Sequence, residues 1–83
     1  MKMKYIIVSP RGLKLPIIFS EAINHSEVAK GFSKVDSAGF VIIDYDTDKK
    51  HFTCKCYGES LGLNIKSNPE DDKSKIEFML NSN

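Results

Sequence analysis

An α+β fold built on a mainly antiparallel sheet follows from three features of this 83-residue chain. Short β-branched and aromatic runs recur with turn residues between them, at Lys4–Ser9, Leu13–Phe19, Val35–Tyr45, His51–Tyr57 and Leu61–Lys66. Near the C-terminus Ile76, Met79 and Leu80 recur instead at i, i+3, i+4, the spacing of a helix face. The element order β-β-α-β-β-β-α is that of a single domain, residues 1–83, with a sheet of about five strands, a short helix after the first hairpin and a C-terminal helix on one face.

Taken in order, KYIIVS is a strand and Pro10-Arg11-Gly12 the turn after it. LKLPIIF returns, and Pro16, having no N–H for a ladder, puts this strand at an edge or starts it after the proline. Around Asn24-His25-Ser26 the pattern changes to a short helical turn, capped by Ser26 and stopped by Gly31. VDSAGFVIIDY is the longest extended segment, with Gly39 marking a bulge or a close backbone approach. After the polar turn Asp46–Lys50, strand parity puts Phe52, Cys54 and Cys56 on one face and His51, Thr53, Lys55 and Tyr57 on the other. Leu61, Leu63 and Ile65 alternate with polar or small residues, predicting one more strand with Gly58-Glu59-Ser60 as the turn before it. Asn68 is then placed to cap a helix, with Pro69 in its first position and acids in its first turn, where the dipole favours them.

The formal charge of +1 excludes a generic polyanion binder, and no nucleic-acid-binding signature accompanies it. Lys2, Lys4, Arg11 and Lys14 do make the first hairpin basic, a solvated strand face on the simplest reading. A chain this short has a marginal core, which favours association into a homo-oligomer. The apolar run at the N-terminus is shorter than a signal-peptide core and no run could span a bilayer, so a cytoplasmic protein with reduced thiols is expected.

Three motifs invite chemistry. Gly58-Glu59-Ser60-Leu61-Gly62 matches the G-x-S-x-G of a hydrolase nucleophile elbow, but strand-like alternation follows where an elbow needs a helix. Cys54-Lys55-Cys56 points into the core, and His51 has the wrong parity to join a zinc site with it, so no metal or cofactor is expected. Asp44-x-Asp46-x-Asp48 opens like a calcium loop and then carries Lys49 and Lys55 where glycine and glutamate are required. His25 at a helix start, and Ser37 with Gly39 as a small polar notch in an apolar strand, are the remaining unusual positions.

The combination Pro16-Ile17-x-Phe19, His25-x-x-Val28, Ser37-Ala38-Gly39-Phe40, Gly58-Glu59-Ser60 and Ser67-x-Pro69-Glu70-Asp71 resembles a group of small uncharacterised phage and prophage proteins. The resemblance implies a mobile-element accessory protein, and carries no reaction with it. The expectation is therefore a non-enzymatic binding protein that inhibits a host defence protein, as anti-CRISPR proteins do, in the host cell cytoplasm. An oligomer that sequesters a small anionic ligand, such as a cyclic-nucleotide defence signal, is the alternative. Arg11 or Lys14 would meet its phosphates, and Tyr57, Tyr5 or Phe40 would stack on its base. A third reading is a small hydrolase or lyase using His25 with Ser60 or Glu59. The candidate contact residues are Arg11, Lys14, His25, Ser37, Tyr57, Glu59 and Ser60.

Overall fold

The computed structural model describes residues 1–82, and four of its strands form one antiparallel sheet in the order β2-β1-β3-β4. These are β1 (Lys2–Val8), β2 (Leu15–Phe19), β3 (Val35–Asp46) and β4 (His51–Tyr57), with helix α1 (His25–Ala29) between β2 and β3. A separate two-stranded ribbon, β5 (Glu59–Ser60) with β6 (Ile65–Lys66), leads into helix α2 (Pro69–Asn81). The α+β architecture read from the sequence is present, with its early hairpin, short helix and closing helix. The last expected strand is different: residues 61–64 form a turn, and only Ile65–Lys66 is extended. Ser60 accepts a hydrogen bond from the Leu63 N–H at 3.2 Å and Asn64 adopts φ 55°, so local bonding bends a segment whose alternation imitates a strand.

β1 is central, and Tyr5, Ile6, Ile7 and Val8 are all buried, because layers cover both faces of the sheet. On one face Tyr5, Ile7, Val41, Cys54 and Cys56 pack against Ile76 of α2. On the other Ile6, Val8, Phe19 and Ala38 pack against Ala29 of α1, with Leu63 and Ile65 of the ribbon beside them. Both cysteines point inward as their parity requires, and both are free. Burial pushes the Cys56 thiol up to about 12 and raises that of Cys54.

The two helix starts differ from their sequence reading. Helix α1 begins at His25 with Asn24 at the cap position, so Ser26 lies inside the helix. At α2 the Asn68 side chain donates to Asp71 Oδ2 at 3.1 Å and caps no backbone N–H. The capping runs the other way, because Asp72 reaches back to accept the Asn68 N–H at 2.8 Å. The same buried carboxylate accepts from Tyr5 Oη at 2.5 Å and from Ser37 Oγ at 2.8 Å, tying the start of α2 to β1 and β3. Burial, then the Asp72 bond, raises the Tyr5 phenol above its ordinary range. Gly39 explains the notch: a Cβ there would stand 2.5 Å from the Tyr57 carbonyl oxygen and 3.1 Å from Ser67 Cβ. The chain entering α2 therefore crosses β3 where Gly39 leaves room.

At the other end, α2 seals the outer edge of β4. Asn81 accepts the Phe52 N–H at 2.8 Å and donates to the Phe52 carbonyl at 3.0 Å. Glu77 accepts the Cys54 N–H at 2.8 Å. These side chains satisfy ladder groups that a fifth strand would otherwise take.

Candidate functional site

The face opposite α2 holds a cleft of about 670 Å³ whose walls include Lys4, Asn24, His25, Phe40, Glu59 and Ser60. It forms because β5 is pinned across the end of the sheet. The Ser67 N–H donates to the Gly58 carbonyl at 3.0 Å, and Gly58 takes φ +80° with Phe40 directly beneath it. A Cβ at Gly58 would lie 3.0 Å from the Phe40 ring, so another residue there would be strained at this φ and would have to push the ring aside.

His25, in the first turn of α1, is buried, and its Nε2 lies 2.8 Å from the Gly39 carbonyl oxygen. A carbonyl only accepts, so Nε2 carries the proton and donates. Phe19 and Phe40 hold the ring edge-on, with centroids at 5.5 and 5.8 Å. Ser60 is only 2% exposed, and its oxygen is engaged by the Leu63 N–H. The sequence places Ser60 in the turn before the last strand; the structure instead buries it in β5, where it braces the β5–β6 turn. Glu59 alone among the three is exposed. Lys4 spends its ammonium on the Ile23 carbonyl at 2.9 Å. Two apolar side chains here are exposed: Leu61, which lines the cleft and is 84% exposed at the turn, and Ile23, next to Asn24 in the chain.

The fold thus gathers His25, Glu59 and Ser60 from distant parts of the chain. Tyr57 adjoins them, stacked on Phe40 at 5.7 Å with the Lys2 ammonium over both rings. The other three candidates lie elsewhere. Ser37 is on the opposite face, bonded to Asp72 beneath α2, where its hydroxyl serves helix packing. Arg11 sits in the 3-10 turn Pro10–Gly12 with φ 55°, beyond the far end of β1. Lys14 lines a second, apolar groove between β2 and α2. Tyr5 is fully buried with its hydroxyl on Asp72, which removes it as a stacking platform for a base.

Among the described residues no hydrogen bond joins His25 to Ser60 or Glu59, so a nucleophile–base pair is not assembled. Nor do three His, Cys, Asp or Glu side chains converge on one point among them. No helix there is long and apolar enough to cross a membrane. Leu61 and Lys4 escaped the sequence reading. Leu61 flanked by Gly62 in a turn was the available signal, but its spacing to Leu63 imitated a strand. No family model, curated protein or solved structure matches the chain.

Proposed function

We propose that this protein is a small non-enzymatic binding protein that engages a protein partner at the His25 cleft. In the mobile-element setting that its motifs imply, that partner is a host defence protein, which the chain inhibits by occupying it. The observation that carries this reading is the state of the cleft's side chains. The imidazole and the hydroxyl are committed to structural hydrogen bonds, while Glu59 and the apolar Leu61 are left outward for contact.

Glu59 is exposed at the cleft while the Lys4 ammonium is held against the Ile23 carbonyl, an arrangement that offers an outward carboxylate to a basic side chain from a protein. An exposed leucine beside a carboxylate is the material of a small interface with an apolar anchor and a charged rim. The experiment is paired capture from host lysate on immobilised wild-type protein, Glu59→Lys and Leu61→Asp, with native mass spectrometry of the purified chain. A host protein retained by wild type and released by both substitutions supports the reading. A nucleotide carried by the wild-type chain, or a partner indifferent to both substitutions, overturns it.

A further inference from the structure

The two edges of the sheet are treated differently, and the difference identifies an interaction surface independent of the His25 cleft. Bonding parity can be followed across the sheet from its fixed points. The Phe52 and Cys54 N–H groups face outward to α2, so the odd residues of β4 bond β3. Ile43 exchanges bonds with Met1 at 2.8 and 2.9 Å, so the odd residues of β3 and β1 face each other. The even residues of β1 therefore bond β2, through the pairs Lys4–Phe19, Ile6–Ile17 and Val8–Leu15. Pro16 and Ile18 are left facing outward, and Ser20 continues the same period. Among the described residues no side chain reaches that edge as Asn81 and Glu77 reach the edge of β4.

Beside the open edge runs a groove of about 670 Å³, walled by Leu15, Pro16 and Ile17 of β2 and by Phe78 and Met79 of α2. Phe78 is 79% exposed and forms a ridge along this groove. A ridge beside a groove can meet its own copy under two-fold symmetry, each ridge facing the other's groove. The groove's charges are mixed, with Asp71 beside Lys14 and Lys75, so identical faces brought together can set acid against base.

We infer that two copies of this chain associate by antiparallel pairing of β2 with β2 about Ile18, forming one continuous eight-stranded sheet. The axis lies along the sheet normal, so both α2 helices stay on the same face and bring their Phe78 ridges together across it. Pro16 selects the register. Pairing about Ile18 sets Pro16 opposite Ser20 of the second copy, whose carbonyl already accepts the Ile23 N–H at 3.1 Å. The donor that proline lacks is therefore not missed, and the Ser20 N–H is free to bond the Pro16 carbonyl. Pairing about Ile17 would set Pro16 against Ile18 and strand its carbonyl.

Sedimentation equilibrium of the full chain tests this, alongside Ile18→Pro and Phe78→Glu. Because the Ile18 N–H faces outward, proline there removes no bond to β1 but does remove side-chain packing on the α2-side core. Phe78→Glu alters only an exposed side chain and is the cleaner of the two. The expected wild-type mass is twice the 9.3 kDa of one chain. Each substitution should raise the dissociation constant about tenfold or more while the far-UV circular dichroism stays unchanged. Hydrogen exchange at the Ile18 amide should be slow in concentrated wild type and fast in Phe78→Glu. A wild-type chain that stays single at high micromolar concentration, or a dimer untouched by both substitutions, overturns the inference. Neither outcome bears on the cleft, which the Glu59 and Leu61 substitutions test separately.

Discussion

Replacing Asp72 by asparagine should remove a large part of the protein's stability, although the substitution changes neither shape nor size. The buried carboxylate accepts three donors: Tyr5 Oη at 2.5 Å, Ser37 Oγ at 2.8 Å and the Asn68 N–H at 2.8 Å. An amide in its place retains one acceptor oxygen and turns an NH2 toward a donor. The Ser37 hydroxyl, which donates to Oδ1, must turn round to accept from that NH2, while the Tyr5 hydroxyl and the Asn68 N–H, which share Oδ2, are left with a neutral amide oxygen in place of a carboxylate. A hydrogen bond to a charged acceptor contributes about 1.5–3 kcal/mol against about 0.5–1.5 for a neutral one, so weakening two bonds and reversing the third should cost about 2 kcal/mol. A domain of this length has about 4–12 kcal/mol in total. With a urea m-value of about 1 kcal/mol/M, the unfolding midpoint followed by circular dichroism should fall by about 2 M. Tyr5→Phe removes one of the two bonds that the amide weakens, so the double variant should lose less than the sum of the two by about 1 kcal/mol. An Asp72→Asn midpoint shifted by less than about 0.5 kcal/mol equivalent would refute the assignment of this carboxylate as the anchor of α2.

Gly39→Ala should cost about 1–3 kcal/mol, because the new methyl meets the Tyr57 backbone carbonyl at 2.5 Å and only movement of β4 or the α2 entry relieves it; thermal melts against Gly31→Ala, where nothing lies within 4 Å, provide the comparison. Burial works against the charge on Glu77, but the Cys54 N–H and Lys73 more than offset it and hold its carboxyl below the usual glutamate range. A depressed carboxyl stabilises the fold above its unfolded pKa of about 4.5 and loses that contribution as pH falls through the folded value. Urea midpoints measured from pH 6 to pH 3 should therefore fall less steeply for Glu77→Gln than for wild type. Cys54 and Cys56, buried with raised pKa values, should react with a thiol reagent at pH 8 only at the rate of opening, and both should label at once in denaturant. Rapid labelling of the folded chain would contradict their burial under α2.

Local periodicity was enough to read the strands, the inward parity of Cys54 and Cys56, the edge position of β2 from Pro16, and the helix beginning at Pro69. Each depends on near neighbours in the chain, through a two-residue or 3.6-residue repeat or a missing N–H, so one segment contains the whole signal. The turn at residues 61–64 was misread because a serine three residues before an amide outweighs alternation, and that bond is a matter of geometry. Asp72 shows the same limit. Its spacing to Ile76 places it on the apolar stripe, yet beside Asp71 it reads as one more first-turn acid. Its role depends on Tyr5 and Ser37, 67 and 35 residues away in the chain.

The candidate site divides in the same way. His25, Glu59 and Ser60 were legible as unusual residues, but only folding could bring them to one cleft and place Ser37, Arg11 and Lys14 elsewhere. G-x-S-x-G, met as a possible nucleophile, becomes a buried turn brace beside an exposed leucine. By itself the sequence determined the elements and the face each residue takes within them, because those follow from bonding along one stretch of chain. Only the tertiary structure decided which polar groups are spent on the fold and which remain free, because hydrogen-bond partners distant in sequence settle that in space.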